Sequence, residues 1–184
     1  MSSTKPRILV FAGPNGSGKS TITQNIKPVG LYINADDIKR DAGCSDLEAA
    51  QEAESLRQML LKAKKDFMFE TVLSTSRNLQ LLEEAKSTGY EVFAVFVLTN
   101  DSGINIRRVK HRAAAGGHDV PEEKIISRYE KSLRNISKLI RIADHTRIID
   151  NSGDLPALIC EINGESVTIV ENEFWTKQDI LSLL

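Results

Sequence analysis

The chain has 184 residues, 41% of them hydrophobic and 27% charged, which is the profile of one ordinary folded domain large enough to bury a sizeable core. A formal net charge of −1 gives no reason to expect nucleic acid or an anionic membrane as partner. Cys44 and Cys160 lie far apart without metal-ligand spacing, and neither an apolar leader nor a membrane-length run occurs, so reduced thiols and a cytoplasmic location are expected.

Ile8 to Phe11 are consecutive large apolar residues and predict a buried strand. They run into Gly13-Pro14-Asn15-Gly16-Ser17-Gly18-Lys19-Ser20-Thr21, the pattern G-x-x-x-x-G-K-S at the start of a helix-compatible run. Glycines let successive backbone N–H groups converge on one centre, and the helix N-terminus adds its positive dipole end there. Lys19 would then reach the outer phosphates of a nucleoside triphosphate, and the Ser20 hydroxyl would ligate Mg²⁺. The helix is expected to end before Pro28-Val29-Gly30.

Leu31 to Asn34 predicts a second short strand that delivers Ala35-Asp36-Asp37 to its end. Ser45 with Glu48 three residues on is a capping box opening a helix to about residue 65. Phe67-Met68-Phe69 predicts a third strand ending in Glu70-Thr71, then a helix from about Arg77 that stops at Gly89, and Val92 to Leu98 a fourth strand. Residues 100–117 are polar and basic and carry Gly116-Gly117, so a lid is expected over about 101–120. Pro121 starts one long helix whose inward stripe is Ile125, Ile126, Tyr129, Leu133, Ile136 and Ile140. Arg147 to Asp150 predicts a fifth strand, followed by a hairpin of 158–162 and 167–171 about Asn163-Gly164, and a helix over 176–183.

Strands alternating with helices predict a single α/β domain: a five-stranded, mostly parallel sheet, helices on both faces, and a C-terminal hairpin and helix at about 156–184. The strand C-terminal ends then form one crevice, lined by residues 13–21, Asp36, Glu70, Thr71 and Asp150. Phosphoryl transfer needs a carboxylate for the acceptor and cations for the migrating charge. Asp36 is the candidate base and Asp37 the competitor, the alternative being that both cap the helix beginning near Ile38. Glu70 either binds acceptor hydroxyls or forms an ion pair. Among Arg107, Arg108 and Arg112 at least one is expected to reach phosphate, His118 is expected to be a structural cap, and Arg128 is the one cation nominated from the following helix. Charge is uneven along the chain. Asp101 to Arg141 is net +5 and Asp144 onward net −6, which fits a local anion site.

Residues 13–21, Ile-Asn-Ala-Asp-Asp-Ile (33–38), Phe-Glu-Thr-Val-Leu-Ser (69–74), Arg-Val-Lys-His-Arg (108–112), Gly-Gly-His-Asp-Val-Pro (116–121) and Asp-Asn-Ser (150–152) together resemble the zeta toxin family, in order over residues 8 to 152. The resemblance implies a P-loop kinase fold and an ATP- and Mg²⁺-dependent kinase acting on a sugar hydroxyl of UDP-N-acetylglucosamine and held inactive by an antitoxin. It implies Asp36 as base, Lys19 and Arg108 on phosphate, and Glu70 on substrate. The family's second phosphate-binding arginine falls near His118, and Arg112 or Arg128 would substitute. Two other readings stand beside this one: another P-loop metabolite kinase acting on a nucleoside, sugar or antibiotic, and a P-loop ATPase or binding protein. Neither an Asn-Lys-x-Asp nor a Leu-Ser-Gly-Gly-Gln signature occurs.

Overall fold

In a computed structural model, which describes residues 5–117 and 119–184, the chain runs β1 (Arg7–Ala12), α1 (Lys19–Thr23), β2 (Leu31–Ile33), α2 (Ala35–Ala42), α3 (Asp46–Lys62), β3 (Phe67–Thr71), α4 (Arg77–Ser87), β4 (Glu91–Leu98), α5 (Ser102–Ala114), α6 (Glu122–Arg134), α7 (Ile136–Ile142), β5 (His145–Asp150), β6 (Ala157–Asn163), β7 (Ser166–Ile169) and α8 (Lys177–Leu183). The strands form one sheet in the order β2-β3-β1-β4-β5-β6-β7. β1 to β5 pair in parallel, and β6 and β7 add antiparallel. The C-terminal hairpin therefore extends the predicted five-stranded sheet to seven strands, because β6 pairs directly with β5 and is not an appendage.

Pleat alternation decides what each strand shows to each side. Phe67 and Phe69 of β3 join Ile8, Val10, Ala94 and Phe96 in the main core, which α3, α4, α7 and α8 cover through Ala53, Leu61, Leu82, Leu139 and Ile180. Glu70 projects from the opposite face, where α1 meets its carboxylate. On that second face Leu9, Phe93 and Val95 are half-buried, so the apolar run of β4 is covered fully on one side only.

Local signals explain most boundaries. Ser45 accepts from the Glu48 N–H while the Glu48 carboxylate accepts from the Ser45 N–H, the reciprocal cap that starts α3. Gly89, at φ 95°, takes the left-handed turn after α4. Two expectations need correction, and the segment expected as a lid is given its secondary structure. α1 is only Lys19–Thr23, after which Asn25 and Ile26 donate three residues back and tighten the chain into turns. The long helix after Pro121 is two helices broken at Asn135, and Ile126 in its supposed inward stripe is exposed. The break has a cause: Ser132 Oγ and Asn135 Nδ2 donate to the Val72 and Leu73 carbonyls, at 2.7 and 2.8 Å, where the chain leaves β3. Those bonds fix the approach of α6 to the strand tips. Lastly, most of the expected lid is helix α5, anchored by buried Asn105 and Val109.

Ser45→Ala should lower stability to urea by about 1 kcal/mol as the N-cap oxygen is lost, and Ser45→Gly by only a few tenths, because glycine, though it loses the same oxygen, suits the N-cap position better than alanine. An unchanged midpoint in Ser45→Ala would show that the cap contributes nothing to α3.

Candidate active site

The loop between β1 and α1 is held from outside by two carboxamides. Asn151 Nδ2 donates to the Ser17 carbonyl at 2.8 Å, and Asn105 Nδ2 donates to the Asn15 carbonyl at 2.6 Å. Thr99 Oγ1 in turn donates to Asn105 Oδ1, and Tyr129 OH to the Thr99 carbonyl at 2.6 Å. Gly16 and Gly18 take φ values of 78° and 93°, and a Cβ there would lie 2.5 Å from Asn105 O and 2.2 Å from Asn151 Nδ2. Glycine is thus required twice over at each, by backbone angle and by close approach. The Gly13 N–H donates to Thr71 O at the tip of β3, 3.2 Å away.

This loop forms one wall of a cleft of about 1000 Å³ at the strand C-terminal ends. On the side of β2, α2 and α3 the lining is Asn34, Ala35, Asp36, Asp46, Ala49 and Ala50; Glu70, Thr71 and Val72 come from the β3 tip. On the side of β4, α5 and α6 it is Arg108, Val109, Arg112, Asp119, Val120, Pro121, Lys124 and Arg128. All lining cations apart from Lys19 stand on the α5–α6 side. The basic segment 101–141 noted above therefore supplies the cations of one cavity wall, while the acidic segment from Asp144 onward lies outside the lining.

Lys19 is buried and donates from Nζ to the Gly13 and Pro14 carbonyls at 2.7 and 3.1 Å. Burial pushes its pKa down to about 8, against the pull of Glu70 and Asp36 and with the push of Arg112. Geometry separates the neighbouring aspartates. Asp37 pairs with Arg40 at 2.8 Å outside the cleft, whereas Asp36 lines it. Neither caps α2, since Asn34 does so by accepting from the Asp36 N–H at 2.9 Å.

Among the described residues Glu70 makes no ion pair. Its Oε1 accepts from Thr23 Oγ1 at 2.7 Å and Tyr32 OH at 2.5 Å, and its Oε2 from Ser20 Oγ at 3.0 Å. Burial, reinforced by the Glu70 hydrogen bond, pushes the Tyr32 phenol up to about 12, so it remains a donor at neutral pH. Thr71 faces the cleft, but its hydroxyl accepts from Leu73 N and Asn78 Nδ2, which shape the turn after β3. Arg108 and Arg112 are one turn apart on α5 and both line the cleft; Arg108 has a buried Nη1 with no partner among the described residues, an orphan donor at a polar cavity. Arg107 is exposed and lies outside the lining. Arg128 Nη1 donates to Asn15 Oδ1 at 3.3 Å, tying α6 to the loop. His118 lies outside the described residues.

One expectation fails. Asp150 is buried away from the cleft, where its Oδ1 accepts from the Ser152 N–H and hydroxyl and its Oδ2 from Asn172 Nδ2 at 2.8 Å. It fastens the C-terminal segment, and the neighbouring Asn151 is the residue that meets the loop. Sequence reasoning also missed Tyr32, Asn105 and Lys124. Tyr32 was findable, because it sits opposite Met68 and so shares a sheet face with Glu70.

Among the described residues no group of three or more His, Cys, Asp or Glu could cage a metal. The hard oxygens of Ser20 and Glu70 fit Mg²⁺ of the kind completed by water and phosphate oxygens. No helix of the described residues is long and apolar enough to cross a membrane.

The model of the zeta toxin family matches residues 1–157 of this chain. An uncharacterised protein of Haemophilus influenzae is 30% identical over 129 residues, 67% of this chain and 92% of its own length. Of solved structures, an AvrRxo1-ORF1:ORF2 complex with ATP aligns at TM-score 0.70 and 17% identity over 91% of this chain, which spans only 61% of that one. The PezAT toxin–antitoxin system of Streptococcus pneumoniae aligns at 0.53 and 20% identity, over 82% of this chain and 70% of that one. At these identities the structural likeness is one of fold, a mixed α/β domain built around a phosphate-loop strand.

Lys19 also gives the site a pH signature. Its pKa is about 8 folded against 10.5 in the reference state, so between those values the unfolded chain binds the extra proton and stability rises with pH. Subtracting Lys19→Met stability from wild type in urea melts between pH 8 and 10 should leave a rise of about 1.2 kcal/mol per pH unit at its steepest. The shifted tyrosines contribute equally to both proteins. A flat difference would mean that Lys19 is not held in a desolvated place.

Proposed function

Because this chain belongs to the zeta toxin family, we propose that it is an ATP-dependent kinase that phosphorylates a hydroxyl group of a small molecule. One observation carries the reading: Asp36 lines the same cleft as Lys19, close enough for its charge to act on the lysine, and it accepts no hydrogen bond from the described residues. A carboxylate with free lone pairs facing a phosphate loop is placed to receive an acceptor's proton.

In this reading the backbone N–H groups of Asn15, Gly16 and Gly18, the charged Lys19 and the hydroxyls of Ser20 and Thr21 hold the donor, while the Gly13 N–H stays on Thr71. Mg²⁺, when bound, neutralises charge on the phosphates. Asp36 orients the acceptor hydroxyl and takes its proton as the new oxygen–phosphorus bond forms. The bond from the terminal phosphorus to the bridging oxygen breaks, and ADP leaves with that electron pair. Arg108, Arg112 and Arg128, with Lys124 beside them, stabilise the charge gathering on the transferred group. The unpartnered Nη1 of Arg108 supports that role.

Family membership makes UDP-N-acetylglucosamine the first acceptor to test. A second class, an unphosphorylated sugar or amino sugar, is favoured by the wall of α2 and α3, where Asp36 faces the cleft and the lining carries no cation; Asp46 there pairs with Lys39 at 2.7 Å, and Asn34 is committed to the Asp36 N–H and the Tyr32 hydroxyl. A protein antitoxin belongs to the same proposal, since both neighbours above are complexes with a second component.

Asp36→Asn should lower the turnover number by about 10²–10⁴-fold on any accepted substrate. Its affinity for magnesium ATP, measured by calorimetry, should stay close to wild type, whereas Lys19→Ala should lose both binding and turnover. Full turnover in Asp36→Asn would remove the base assignment, and ATP consumption unaffected by any acceptor would replace the kinase with an ATPase.

A further inference from the structure

Glu70 is where the family resemblance and the geometry part. The resemblance puts this carboxylate on the acceptor. In the fold it stands on the α1 side of the sheet, sharing that face with Met68, whereas the small-residue wall of α3 lies over the Phe69 face. Both its oxygens are already committed to hydroxyl donors, one from the phosphate loop, one from α1 and one from β2. The capacity Glu70 keeps is on Oε2, the oxygen that holds Ser20, on the α1 side of the sheet.

Ser20 is the informative partner. By donating its only proton to Glu70 Oε2, at 3.0 Å, its oxygen is left with lone pairs and no proton facing the rest of the cleft. That is the state a hydroxyl needs to ligate a cation. Oε2 accepts a single hydrogen bond from the described residues and keeps capacity for a second, such as a metal-bound water. The position of Oε2 is in turn set through Oε1. Tyr32 OH donates to it at 2.5 Å and is itself fixed by Asn34 Nδ2, which donates to the phenol oxygen at 3.0 Å. A chain Asn34–Tyr32–Glu70–Ser20 thus runs from the cap of α2 to the phosphate loop.

We propose that Glu70 serves the magnesium ion of the donor nucleotide rather than the acceptor, and that Tyr32 is the residue that positions it. The assignment rests on the nucleotide-binding half of the kinase reading. Removing an outer partner that orients a metal-binding group costs about 10–100-fold in metal affinity.

The test needs no acceptor and no turnover. Mn²⁺ binding to the full-length protein saturated with ADP is followed by electron paramagnetic resonance, and ADP affinity is measured separately in EDTA by calorimetry. Tyr32→Phe should weaken Mn²⁺ about tenfold and Glu70→Gln by more, while metal-free ADP affinity stays at the wild-type value in both. That last value also shows that each variant is folded. If Mn²⁺ binds both variants as tightly as wild type, the assignment is wrong and Glu70 returns to the acceptor. If wild type binds no ADP, the nucleotide reading falls and takes this assignment with it.

Discussion

The site depends on two buried carboxamide contacts to backbone. A phosphate loop is a run of converging N–H groups, and left alone such a run has no reason to stay open. Here Asn151 reaches it from the end of β5 and Asn105 from α5, each accepting no alternative to a glycine at the point of contact. Since β5 and α5 belong to different parts of the chain, the loop is shaped by the sheet order as a whole. Tyr129 and Arg128 bring α6 into the same arrangement, through Thr99 and Asn15. Donor cradle, cationic wall and helix α6 are therefore one packed unit.

The charge arrangement follows from that packing. Lys19 is buried beneath the loop with its ammonium on two carbonyls, a position that lowers its basicity and readies it for an anionic ligand that would restore it. Arginines and a lysine stand on the α5–α6 side, and Asp36 and Asp46 on the other. A donor rich in negative charge and an acceptor to be deprotonated have opposite electrostatic needs, and under the proposed kinase reading the sheet order β2-β3-β1-β4 would give each its own side. Magnesium and acceptor are likewise kept apart, on the two faces of β3, if Glu70 acts as inferred above.

What could be read from the residues divides along physical lines. The phosphate loop, the capping box at Ser45, the glycine stop at Gly89 and the parallel strands were legible because each is a local pattern with a local cause. The helix break at Asn135 was not, because its cause is two carbonyls at residues 72 and 73, some sixty positions away. Asp150 was misread for a related reason: a carboxylate at a strand end looks the same whether it meets the cleft or, as here, turns away to Ser152 and Asn172. Asn105 carries no motif at all. It is recognisable only once Gly16 is seen packed on its backbone.

Membership of the zeta toxin family and the two-sided cleft converge on one claim, that the terminal phosphoryl group leaves for an alcohol oxygen and not for water. Turnover in water enriched in ¹⁸O, with phosphorus-31 spectra of the products, tests this most directly. The account predicts a phosphate ester whose phosphorus carries no solvent oxygen, in amounts equal to the ADP formed. Inorganic phosphate bearing one ¹⁸O, formed at the same rate with and without acceptor, would contradict it.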